Sequence, residues 1–193
     1  MPIVALLLST LLTVSAICAP PPILRPGMAP HTTLTYRFYG AWRPHEQHCV
    51  QQSLRAWEDA TANTLDLHFV YATDPAIHPQ MTLTKTRVPY PIGGAVVGLR
   101  TTTEGYLAGG GIVYSDDPTR LSSCMGYQKT TLHEVGHLLG LGHVTQPMNG
   151  RPAVSIMQPT MQGANDHAQE LPETMTLCDI DQAVHAAQGI VVK

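Results

Sequence analysis

The sequence predicts an α+β domain: a twisted five-stranded sheet backed by two helices, above a small lower part that a third helix closes. Three observations predict it. Five short segments carry the two-residue alternation or apolar runs of strands, and three carry helical spacing. Their order along the chain is strand, helix, four strands, helix, loop, helix. The length, 193 residues, suits one domain with a sizeable core.

The first strand is read at Thr32 to Phe38. From Pro44 to about Thr61, Val50, Leu54 and Trp57 recur at helical spacing, with Glu58 and Asp59 off that face and Pro44 placed for a first turn. Leu65, Leu67, Phe69 and Tyr71 alternate with Asp66, His68 and Val70, which predicts a strand with one buried face. Met81 to Val88 alternates with threonines and makes a third strand; Gly93 to Thr102 and Gly110 to Ser115 supply two more. A helix follows at about Tyr127 to Leu139. A loop-rich segment then leads to a closing helix at Met175 to Gln188. There is no internal repeat.

The run His133-Glu134-Val135-Gly136-His137-Leu138-Leu139-Gly140-Leu141-Gly142-His143 carries the chemistry. On a helix, His133 and His137 are four residues apart, so both imidazoles leave one face and can chelate one ion. His143 would point away if the helix continued at about 100° per residue. Gly140 removes that obstacle, because glycine takes the left-handed conformation that ends a helix and turns the chain back. Three neutral nitrogen donors leave a fourth position for water, the pattern of a catalytic rather than a structural zinc. Glu134 lies next to the ligands but off the ligand line, as a proton carrier would. Histidines 45, 48, 68, 78, 167 and 185 lack ligand spacing and are read as surface or packing residues.

Composition narrows the partners. Charged residues are 13% of the chain, the formal net charge is −3 and no basic run occurs, so neither nucleic acid nor an anionic membrane is expected. Ile3 to Ile17 is almost wholly apolar. It is shorter than the roughly 20 residues of a membrane span, and Pro20, Pro21 and Pro22 end it. Residues 1–18 therefore read as a signal peptide cleaved after Ala16 or Cys18 and residues 19–30 as a proline-rich leader, with 31–193 the catalytic domain. No Lys or Arg precedes the apolar run. Lipidation at Cys18 is the alternative reading, against which the bulky Ile17 stands. Export permits disulfides. Four cysteines allow three connectivities, and the pairing expected is Cys124 with Cys178, which would tie the two halves of the cleft together.

The histidine run resembles the zinc-binding motif of the metzincin metalloproteases. Ser155-Ile156-Met157-Gln158-Pro159-Thr160 resembles their Met-turn, with Met157 as an apolar floor under the imidazoles. Within that group the chain is similar to the matrixins, through Thr35-Tyr36-Arg37-Phe38, Leu54-Arg55-Ala56-Trp57 and Met157-Gln158-Pro159. The resemblance covers nearly all of the chain after the signal. It implies a metzincin (zincin-like) catalytic domain, its sheet mostly parallel with an antiparallel edge strand, its lower subdomain holding the Met-turn and the C-terminal helix. It also implies a secreted, monomeric zinc endopeptidase acting on protein or peptide. His133, His137 and His143 would hold the ion, and Glu134 would take a proton from water and return it to the leaving amine. The substrate would lie along the edge strand at Gly93 to Thr102. Val135, Gly136 and Leu138 on one side, and Pro159, Thr160 and Met161 on the other, would wall an apolar pocket after the scissile bond.

Departures from the family pattern matter too. Gly98 and Val113 stand where matrixins carry histidines for a second, structural zinc, so one zinc is expected. Asp116 and Asp117 fall where the family places calcium ligands, although an Asp-Asp-Pro turn accounts for both without an ion. The cysteine motif that keeps matrixins latent is missing. Two other functions fit the same ligands: a zinc hydrolase of non-peptide amides, and a non-catalytic zinc-binding or inhibitory module. Glu134 speaks against the latter, since a structural site has no use for that carboxylate.

Overall fold

The computed structural model describes residues 18–89, 93–144, 154–159 and 174–189. Strands β1 (Thr33–Tyr39), β2 (His68–Tyr71), β3 (Met81–Thr86), β4 (Gly94–Thr101) and β5 (Leu107–Ser115) form one sheet in the order β2-β1-β3-β5-β4. All pairs are parallel except β4 with β5, which leaves β4 as an antiparallel edge. Of residues 1–18, expected to act as a signal, residues 1–17 lie outside the described residues.

Helices α1 (Pro44–Thr61) and α2 (Cys124–Leu138) pack side by side. Trp57 is wholly buried between them, its indole N–H donating to the Leu132 carbonyl at 3.1 Å. The Ser53 hydroxyl donates to the Gln128 carbonyl at 3.1 Å. Such bonds let polar atoms enter an apolar interface without an unmet partner. Helix α2 begins three residues before the expected Tyr127, because the Ser123 hydroxyl accepts the Gly126 N–H and caps it there. The closing helix, α3 (Leu177–Ala187), starts from a capping box of Thr176 and Asp179.

The strand expected over Leu65 to Tyr71 is observed only from His68. The amides of Thr64, Leu65 and Asp66 all donate to the Thr61 carbonyl, winding the chain off the end of α1. Asp66 then takes a left-handed φ of 49°. Leu65 and Leu67 are buried as expected, but from the connection ahead of the strand. Asp66 also accepts from His31 and His68, each at 3.1 Å, which accounts for His68 at the surface.

The expected Cys124–Cys178 bridge is not formed. Cys124 opens α2 directly beside α1, where Cys49 is its partner at a Cα–Cα distance of 5.3 Å. Cys178 lies in the first turn of α3, next to the N-terminal segment, and pairs with Cys18 at 5.8 Å. The helix pair decides the first bond and leaves the other two cysteines to each other.

That N-terminal segment is built into the body. The Leu24 amide donates to the Gly140 carbonyl, Gly142 to Pro22, Gly27 to Ala186 and Leu107 to Gly27, at 2.7–3.1 Å. Ala19, Ile23 and Met28 are buried. It therefore braces both the loop after α2 and the end of α3.

Candidate metal centre and active-site cleft

Helix α2 delivers His133 and His137 one turn apart, and the chain then reverses at Gly140, whose φ is +93°. A side chain there would also strike the Arg25 carbonyl, so both conformation and space require glycine. The reversal returns His143 to the same point. Its Nε2 lies 3.1 Å from that of His133 and 3.0 Å from that of His137.

The opposite nitrogens decide what this convergence means. His133 Nδ1–H donates to the Ile156 carbonyl at 2.6 Å and His137 Nδ1–H to the Leu141 carbonyl at 2.8 Å. Each ring is thereby held in the tautomer whose Nε2 carries a lone pair. Burial, with the neighbouring imidazoles adding to it, pushes His133 down to about 3, and burial also lowers His137 and His143. Neutral rings are favoured, and three Nε2 atoms brought this close to one point make a ready donor set for a cation. Nitrogens about 2.0–2.1 Å from a tetrahedral zinc stand about 3.3 Å apart, close to the spacings seen. The donor set fits zinc. Among the described residues, no other group of three or more His, Cys, Asp or Glu is so placed.

The floor is Met157, wholly buried, with its sulfur against Gly136 between the two helical ligands. A Cβ at position 136 would collide with that sulfur. Beneath it, Asp179 of α3 accepts from the Ser155 hydroxyl at 2.5 Å and the Ile156 amide at 3.3 Å. The Ser155 oxygen in turn accepts the Met157 amide at 2.9 Å. Since the Ile156 carbonyl orients His133, Asp179 acts on that imidazole at one remove. The sequence reading missed it. The signal was present in Thr176-Leu177-Cys178-Asp179, a capping box whose acid is fully buried.

Glu134 is buried beside the ligands. Burial raises its carboxyl to about 7, while the Val96 amide of β4 pulls the other way. The ligands and Glu134 open on a cleft of about 390 Å³, walled opposite by Gly94, Ala95 and Val96 of the edge strand. Leu99 and Arg25 complete it. Arg25, in the segment read as a leader, was not foreseen. Val135 and Leu138, expected in the substrate pocket, are instead buried in the core. Pro159 is half-buried near the Met-turn. Thr160 and Met161 lie outside the described residues. Gly98 sits at a φ of 58° where the β4–β5 register shifts. Asp117 accepts the Thr119 amide and hydroxyl, capping its own turn.

The matrixin family model matches residues 29–176. No curated protein sequence matches the chain. Two solved structures of myroilysin are similar in fold. One, at 15% identity, covers 84% of this chain and 96% of its own, with a TM-score of 0.51. The other, at 13% identity, covers 91% and 92%, also at 0.51.

Proposed function

Because the chain belongs to the matrixin family of metalloproteases, we propose that it is an exported, zinc-dependent endopeptidase with Glu134 as its proton carrier. One observation carries this reading. Three neutral imidazoles turn their Nε2 atoms to one point, two of them locked there by carbonyls, with a buried carboxylate alongside.

His133, His137 and His143 would hold the ion. When bound, zinc supplies a Lewis acid that polarises a carbonyl oxygen and acidifies water. Glu134 takes up a proton from water at its carboxylate and returns it to the leaving amine, a role its place beside the three imidazoles in the same cleft allows. Val96 of β4 lines the same cleft opposite that carboxylate. The unpaired edge of β4 offers backbone donors and acceptors to an extended peptide, as an added strand.

Export is supported by two disulfides, which persist in oxidising compartments. Signal cleavage after Ala16 fits the Cys18–Cys178 bond, since cleavage after Cys18 would remove one partner. Among the described residues no helix is long and apolar enough to cross a membrane. The test is cleavage of an unbiased peptide library by the exported protein, abolished by a zinc chelator and restored by zinc. Hydrolysis confined to non-peptide amides, or no hydrolysis with zinc bound, would replace this reading with one of the two other functions.

A further inference from the structure

We infer that Arg25 is a specificity-determining residue, whose guanidinium receives a carboxylate of the substrate bound in the cleft. This rests on the endopeptidase reading above. Arg25 comes from the N-terminal segment, yet it lines the same cleft as Glu134 and the three imidazoles. One of its donors is committed: Nη2 donates to the His137 carbonyl at 2.5 Å, near the C-terminal end of α2. Its Nε is closed off from solvent and has no acceptor among the described residues. No described carboxylate forms an ion pair with it. Glu134, the acid lining this cleft, is engaged by Val96 instead.

A half-buried guanidinium with one of its five donors used is an incomplete arrangement. The missing counter-charge is best supplied by a planar group with two oxygens, because the guanidinium fork matches a carboxylate bidentately. The side chain is also held ready. Its flanking residues are fixed by the Leu24–Gly140 and Gly27–Ala186 backbone bonds, and Pro26 stiffens the link between them. Little ordering remains to be done when substrate arrives. If Arg25 served only to cap α2, its single bond to His137 would suffice and substrate charge would not matter.

The carboxylate can come from an Asp or Glu side chain or from the C-terminus of a short peptide. The test uses the exported protein loaded with zinc and a peptide set with one scissile bond. Asp is exchanged for Asn at each flanking position, and every peptide is made with a free and an amidated C-terminus. At one position, or at the free terminus, kcat/KM is expected to exceed that of the uncharged counterpart by about tenfold, as for a hydrogen bond to a charged group. Arg25→Gln should bring that ratio to about one. Arg25→Lys should keep part of it, and Arg25→Glu should turn the preference toward Lys. A preference at a side chain or at the terminus identifies the source. Equal cleavage of every charged and uncharged pair by the wild type overturns the inference even if a variant fails to fold. So does a ratio that survives in Arg25→Gln. Chelator-insensitive cleavage, or none, overturns the endopeptidase reading and the inference with it.

Discussion

Asp179→Ala offers a demanding check on how the metal centre is supported from below. The carboxylate is fully buried and accepts four hydrogen bonds: from the Ser155 hydroxyl, the Ile156 amide, the Thr176 amide and the Thr176 hydroxyl. Hydroxyls can rotate to other acceptors, whereas the two amides cannot. Each stranded buried donor costs about 1–3 kcal/mol, so the substitution should cost roughly 2–5 kcal/mol. For a chain of this size that lowers Tm by about 5–20 °C. A second effect follows from connectivity. The Ile156 carbonyl aims His133, so a loosened Met-turn should weaken zinc binding by about 10–100-fold. Asp179→Asn, which keeps one acceptor oxygen, should fall between. Thermal unfolding gives the first quantity, and chelator competition in conditions where the variant is folded gives the second. A destabilised variant with native zinc affinity would refute the link from α3 to His133. Native stability would refute the accounting of the buried bonds.

Other consequences can be read from single contacts. Gly136→Ala forces a methyl into Met157, which should cost about 1–3 kcal/mol in unfolding free energy and loosen metal retention, measurable by denaturation and metal analysis. Peptide mapping without reduction should recover Cys18–Cys178 and Cys49–Cys124. On loop-closure entropy, the second bond, across 75 residues, is worth about 4 kcal/mol, so its Cys→Ser pair should unfold in correspondingly less denaturant. Burial opposes ionisation of Glu46, but the Arg43 amide and Lys85 outweigh it and hold its pKa below 4.5; burial likewise opposes the charge of Lys85, and Glu46 overcomes it to raise that pKa above 10.5. The pair's stabilisation is therefore present between those ordinary values, fades in acid as pH falls below 4.5 and fades in alkali above 10.5. Lys85→Met should cost about 3–5 kcal/mol at pH 7, shrinking in acid as Glu46 takes a proton. A cost independent of pH in urea titrations would contradict this.

The elements that could be read in the sequence are those whose signal is local. The helix expected from Pro44 to about Thr61 is observed over Pro44–Thr61, because Pro44, the Val50-Leu54-Trp57 spacing and the helix are one continuous pattern. The convergence of the three histidines was legible because i, i+4 spacing and a glycine reversal encode geometry directly. The parts missed depend on contacts across the fold. Asp66 sits inside an alternating pattern yet is turned left-handed by the end of α1. Cys124 is 75 residues from Cys49 in sequence, and only the packing of the two helices brings them together. Arg25 lies in a proline-rich stretch with no periodicity, placed by backbone bonds to Gly140 and Ala186 that no local pattern announces. Val135 and Leu138 lie within the motif, but α2 turns them into the core.

The central claim is that three histidines hold one zinc and that Glu134 moves the proton without holding the metal. Zinc content and peptide cleavage, measured on the same preparations of wild type and Glu134→Ala, test it directly. The account predicts one zinc per chain in both proteins and a fall in kcat of about 10²–10⁴-fold in the variant. Loss of zinc together with activity would make Glu134 a ligand. Near-native turnover would remove it from the chemistry, and a second tightly held zinc would contradict the single centre.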